Sequence, residues 1–152
     1  MRHVYLAATG QNRGKTTVSL GVLDGFQRRG LSTGFLKPVG QRTIIEDGVP
    51  ADEDAVLMKQ VFGLHEPIGQ MSPVHIPRGF TQAYIEGAVV EDLPARIRAA
   101  HAAFTDRDIL LIEGTGHAGV GAVIDGKDGA KKGAVAGLIG GTVFDIATRT
   151  KR

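Results

Sequence analysis

Cysteine is absent from this 152-residue chain, which excludes a disulfide framework, thiol catalysis and any cysteine-based metal centre. Excess charge is missing too. The 18 Lys and Arg against 16 Asp and Glu leave a formal net charge of +2, too small to argue for a nucleic-acid partner. No stretch approaches the roughly 18 consecutive apolar residues of a membrane span, and the N-terminus lacks the charged-then-apolar order of a secretory signal. The expectation is a cytoplasmic protein with no nucleic-acid and no membrane partner. Its length suits one domain with a real core and no more. Glycine is oversupplied, at 22 residues of 152, about twice the usual ~7%, and ten of these fall from Gly114 to Gly141.

What the chain does carry is Thr9-Gly10-Gln11-Asn12-Arg13-Gly14-Lys15-Thr16-Thr17, set between an apolar run at residues 3–8 and a segment of helical spacing through Val18, Leu20, Val22, Leu23 and Phe26. A glycine-containing turn between strand and helix aims backbone N–H groups at an anion, and the helix N-terminus adds partial positive charge. On this reading the stretch is a phosphate-binding loop in which Lys15 reaches the terminal phosphates and the Thr16 hydroxyl helps hold Mg²⁺. The usual G-x-x-x-x-G-K-[ST] spacing puts its first Gly where this chain has Thr9, with Gly10 one place later.

Strand and helix patterns then alternate. Residues 16–29 read as a helix ended by Gly30, residues 32–39 as a second buried strand, and residues 40–50 as a polar loop. A helix with an acidic first turn is predicted over 51–62, a proline-bearing surface loop over 63–79, a short helix over 81–86, an alanine-rich helix over 93–104 and a third strand over 108–113. Three apolar strands separated by helices predict an α/β fold, a parallel sheet covered by helices in three layers, α/β/α, forming one domain over residues 1–152. Ligands of such sheets gather at the carboxyl edge of the strands. Glu113 ends the third strand there and can coordinate Mg²⁺ directly or through water as a hard oxygen ligand. Lys37 ends the second, held extended by Pro38, and could neutralise a transferred phosphoryl group or a substrate carboxylate.

The ordered set of phosphate loop, K-P-V at Lys37-Pro38-Val39, D-A at Asp54-Ala55 and E-G-x-G at Glu113-Gly114-Thr115-Gly116 resembles the dethiobiotin synthetase-like ATPases. These are relatives of the cobyrinic acid a,c-diamide synthases and of the N-terminal domain of some phosphotransacetylases. The resemblance covers roughly residues 3–124. It implies a P-loop NTPase-like fold with ATP and Mg²⁺ as cofactors. Thr9 to Thr17 would surround the nucleotide, with Lys15 on its phosphates, while Thr16, Asp54 and Glu113 would share the Mg²⁺. Lys37 would sit between nucleotide and substrate, so Lys15 and Lys37 are the catalytic candidates. Asp54 comes from the resemblance alone, since spacing by itself reads Asp52-Glu53-Asp54 as a solvated acidic helix start.

The implied activity is that of an ATP-dependent ligase, synthetase or ATPase acting on a small carboxylate or carbamate. In dethiobiotin synthetase a carbamate made from a diamine and CO₂ is phosphorylated and closes to a cyclic urea, chemistry that rests on positioning and charge neutralisation. One alternative is a non-catalytic nucleotide-sensing module like the phosphotransacetylase domain. Another is a partition-type ATPase that dimerises across its nucleotide. Gly10, Gly40-Gln41-Arg42 and His117 depart from the family pattern near the substrate, so the diamine is not carried over to this chain. From Asp125 the resemblance fades into a Gly-rich tail, residues 125–152. The sheet is accordingly expected to be incomplete, with uncovered apolar edges that predict a homo-oligomer.

Overall fold

A computed structural model of the chain describes residues 1–8, 13–76, 80, 86, 88, 91–115 and 147–149. Strand β1 (Arg2–Leu6) is followed, beyond residues 9–12, by helix α1 (Lys15–Gln27). Next come β2 (Thr33–Leu36), β3 (Val39–Gly40) and a hairpin of β4 (Thr43–Glu46) with β5 (Val49–Asp52). Helices α2 (Glu53–Phe62) and α3 (Ile68–Met71) precede β6 (Val74–His75). The remaining elements are α4 (Leu93–Ala102), β7 (Ile109–Glu113) and β8 (Ala147–Arg149).

The main sheet runs in the order β2-β7-β1-β8. Its first three strands are parallel, as the alternation of apolar strands with helices requires. β8, from the Gly-rich tail, closes the outer edge of β1 in the antiparallel sense, with His3 opposite Arg149 and Tyr5 opposite Ala147. β7 is buried along its whole length, which its ILLIE sequence suits and a central parallel strand demands.

Register and pleat divide the sheet between two helix layers. Paired residues point the same way and successive residues point opposite ways. Val4, Leu6, Thr33, Phe35, Leu111 and Glu113 therefore share one face. This is the face that α1 covers, because Ser19 hydrogen-bonds Glu113 and Gln27 hydrogen-bonds Thr33. His3, Gly34, Leu36, Leu110 and Ile112 hold the other face. There His101 of α4 brings its Nε2 to 3.1 Å from His3 Nε2, and a Cβ on Gly34 would come within 2.9 Å of the Phe104 ring. Helices on both faces of a parallel sheet make the predicted three layers. The core between them includes Leu23, Phe35, Leu36, Leu110 and Leu111, all with 0% exposure.

Three segments differ from the sequence-based expectation. The second strand does not run from 32 to 39. It breaks after Leu36, where Pro38 lacks an N–H and the Lys37 N–H turns to the Met71 carbonyl at 2.7 Å. Val39 and Gly40 then pair with Val74 and His75 in a separate parallel ribbon. Residues 40–50 are not simply a polar loop, because Asp47 (φ 52°) and Gly48 (φ 75°) build a two-residue turn that joins β4 to β5. The segment 63–79 is not a surface loop in its described part. Ile68, Met71 and Val74 are buried, at 4%, 0% and 1% exposure, because apolar burial overrides the proline signal. The short helix expected over 81–86 falls almost wholly outside the described residues. Among the described residues no helix is long and apolar enough to cross a membrane.

Candidate functional site

The carboxyl ends of β1, β2 and β7 lie side by side, and the elements that follow them meet in a cleft of about 110 Å³. Its walls are Arg13, Gly14, Lys15, Thr16, Lys37, Gln41, Arg42, Asp52, Asp54, Glu113 and Thr115. Thr9, Gly10, Gln11 and Asn12, the first half of the predicted phosphate loop, lie outside the described residues, as does His117. The second half is in place. Gly14 adopts φ 76° as the N-cap of α1, a left-handed conformation that suits glycine. Gly14 brings no side-chain cap to this helix, and Gly14, Lys15 and Thr16 at its N-terminus line the cleft, where a helix start favours an anion. Thr17 lies in that same first turn.

Lys15 starts α1 and is 7% exposed. Burial lowers its pKa, as does the positive charge of Lys37, with Glu113 and Asp54 opposing them. A bound anion would relieve both effects.

Lys37 occupies the centre of the cleft. Its Nζ donates to Glu113 Oε1 at 2.6 Å and to Asp54 Oδ2 at 2.9 Å. Burial works to lower its pKa, but Glu113 and Asp54 outweigh it and hold the ammonium above its ordinary value. Asp54 sits in the first turn of α2 and also accepts from Thr16 Oγ1 at 3.0 Å. Burial would raise Asp54, yet Lys37 and Thr16 bring it below the usual carboxylate range. Glu113 is the carboxylate on which burial prevails. At 0% exposure it is raised, despite the Lys37 charge and a hydrogen bond from Ser19 Oγ to Oε2.

The residues that sequence reasoning singled out therefore converge. Lys15, Thr16, Lys37, Asp54 and Glu113 come from two strand ends and two helix starts and line one cleft. Others were missed. Ser19 lies one turn beyond Thr16 on α1, fully buried, where no phosphate-loop pattern extends. Asp52, read as solvated, is 2% exposed, and burial raises its pKa. Thr115 Oγ1 donates to the Val39 carbonyl, tying the turn after β7 to β3.

A family model described as an AAA domain matches residues 2–127. Over 114 residues the chain is 28% identical to a phosphate acetyltransferase of Pseudomonas aeruginosa, covering 75% of this chain and 15% of that protein. It is likewise 28% identical over 114 residues to the phosphate acetyltransferase of Pseudomonas putida, again covering 75% of this chain and 15% of the other. To the ATP-dependent dethiobiotin synthetase of Thermodesulfovibrio yellowstonii it is 22% identical over 116 residues, covering 74% of this chain and 48% of that enzyme. The chain thus spans less than half the length of each of these relatives.

Proposed function

The chain belongs to the AAA domain family of nucleotide-binding P-loop proteins, and from that premise we propose that it binds Mg-ATP and acts as an ATP-dependent ligase or ATPase on a small carboxylate or carbamate. One observation carries the reading. Lys15, Thr16, Lys37, Asp54 and Glu113 line a single cleft, with Lys37 bridging both carboxylates. A buried ammonium held between two acids beside a helix N-terminus is the charge pattern that phosphoryl chemistry uses.

The oxygen donors fit Mg²⁺. Two adjacent ligands of an octahedral ion at about 2.0–2.1 Å stand about 2.9 Å apart, and Thr16 Oγ1 and Asp54 Oδ1 are separated by 3.0 Å. No group of three or more His, Asp or Glu that could hold a metal occurs among the described residues. That suits an ion usually held by one or two carboxylates together with phosphate and water. Both oxygens of Glu113 are already engaged, by Lys37 and Ser19, which fits action through a water. Bound there, Mg²⁺ would neutralise charge on the phosphates. Lys15 would hold the nucleotide's phosphates. Lys37 would offer its ammonium to the oxygen between nucleotide and substrate, kept protonated by Glu113 and Asp54.

The test is thermal stability with and without Mg-ATP, beside Lys15→Ala. A ligand at about 100 times its Kd adds about 2.7 kcal/mol, a rise of roughly 5 to 11 °C at about 2 to 4 °C per kcal/mol for a chain of this size. The reading expects that rise in the wild type and its loss in Lys15→Ala. Folded wild type with no rise would overturn it.

The 28% identity to two phosphate acetyltransferases, of which this chain spans 15%, supports a second reading as a nucleotide-sensing module. Mg-ATP binding without ADP release, in the presence of small acids, would favour it. We extend the proposal to self-association. β2 is an edge of the main sheet among the described residues, and Ile45 and Val61 are 67% and 56% exposed. A clean monomer by light scattering would remove that part.

A further inference from the structure

Three carboxylates line the cleft, and one of them faces its own backbone. Asp52 Oδ1 accepts from Asp54 N at 3.1 Å, capping α2. Its Oδ2 accepts from Gln41 N at 3.0 Å and from Arg42 N at 3.3 Å. Behind it, the Asp52 N–H donates to the buried Ser72 hydroxyl at 3.0 Å. In front, Gly40 leaves no space: a Cβ there would stand 2.7 Å from Asp52 Cβ and 2.8 Å from Oδ2. The carboxylate is thus gripped on every side at 2% exposure, and both of its oxygens are already engaged.

We propose that Asp52 is a positioning residue for the nucleotide site, an inference that rests on the functional reading above. It joins two walls of the cleft, the first turn of α2 that carries Asp54 and the turn at Gln41 and Arg42. Asp54 must meet Thr16 on one oxygen and Lys37 on the other, so its orientation follows from where α2 begins. Asp52 fixes that beginning. It is the N-cap of the helix and is itself fixed to the 40–42 turn. A helix cap alone would need only Oδ1. The two N–H groups on Oδ2 and the missing Cβ at Gly40 are what tie the cap to the opposite wall. Partners that orient metal-binding groups typically matter by about 10–100-fold in metal affinity, and the inference gives Asp52 that place for Asp54.

Asp52→Asn separates positioning from capping. Its Oδ1 still caps α2, while its amide NH₂ meets the Gln41 and Arg42 N–H groups donor against donor. Calorimetry on the full chain would measure ATP affinity in EDTA, and then the Mg²⁺ concentration that half-saturates the gain in affinity. In folded Asp52→Asn, ATP affinity in EDTA is expected within about twofold of wild type, since Lys15 and the start of α1 are untouched. The Mg²⁺ requirement is expected to rise about 10- to 100-fold. An unchanged Mg²⁺ requirement, or an equal loss with and without the ion, overturns the positioning role and leaves Asp52 a structural cap. Gly40→Ala displaces the same carboxylate without changing it and is expected to shift the Mg²⁺ requirement in the same direction. It carries the measurement where Asp52→Asn does not fold. Wild type that binds ATP with no Mg²⁺ dependence overturns the functional reading itself, a result visible before any variant is made.

Discussion

Removing the ammonium from Lys37 should be costly to the fold, and the cost should be recoverable in a specific way. The Lys37 side chain is 5% exposed and that of Glu113 0%, so Lys37→Met leaves a buried carboxylate without its cation. Breaking such a pair from one side typically costs about 3–5 kcal/mol. At about 2–4 °C per kcal/mol, the melting temperature should fall by roughly 6 to 20 °C. The penalty belongs to the charge left behind on Glu113. Replacing that charge in Lys37→Met/Glu113→Gln should therefore return more than half of the loss. Lower pH should do the same. Burial raises the Glu113 pKa above 4.5, so the folded state takes up a proton on Glu113 before the unfolded chain does. The Lys37→Met deficit should then shrink as pH falls from 7 toward 4.5. Urea denaturation of the wild type, the single variant and the double variant at pH 7 and pH 5 gives all the quantities needed. A single variant within about 1 kcal/mol of wild type at pH 7, against the range expected for a buried pair, would refute the argument. A double variant no more stable than the single one would do so as well.

Ser19→Ala removes the donor to Glu113 Oε2 and should cost about 1.5–3 kcal/mol, the usual range for a bond to a charged acceptor; a midpoint in urea unchanged from wild type would show that Glu113 does not need it. His75 should make the protein sensitive to mild acid. Burial, and then the charge of Arg96, lower its pKa below 6.5, so its neutral form is favoured in the folded state. Its contribution is complete above pH 6.5 and is lost as pH falls from there through the folded-state value. Comparing stability at pH 7.5 and pH 5.5 in the wild type and His75→Gln should show a smaller decline in the variant, and equal declines would dismiss the effect.

The parts of the fold that can be read from the chain are those where one force dominates. β7 is legible because ILLIE is apolar at every position but the last and is central to the sheet. α2 ends where its signal suggests, at Gly63 with φ 61°, though it starts at Glu53 and not at residue 51, which belongs to β5. Lys37 and Glu113 could be placed because each ends an apolar strand, and strand ends are where α/β sheets collect ligands. The hairpin at Asp47-Gly48 was also written in the chain, in a dipeptide that favours φ above zero at both positions, but the surrounding polarity masked it. Ser19 and Asp52 were not legible. Nothing in local spacing brings Ser19 to a strand 94 residues away, and an acidic helix start looks solvated until Gly40 lets a turn fold over it. In residues 63–79 the prolines suggested a loop, while Ile68, Met71 and Val74 decided the packing.

That last segment bears on where the protein tolerates change. By composition, the stretch around Pro67 and Pro73 is where a protein engineer would graft an epitope or accept an insertion. Yet the Met71 carbonyl receives the Lys37 backbone N–H, so the main chain carrying the site's central cation is moored to it. Length changes there should behave as mutations of the cleft itself. A deep mutational scan scored on nucleotide binding should find residues 68–74 nearly as intolerant as the phosphate loop, while the hairpin tip at Asp47 and Gly48 accepts insertions freely.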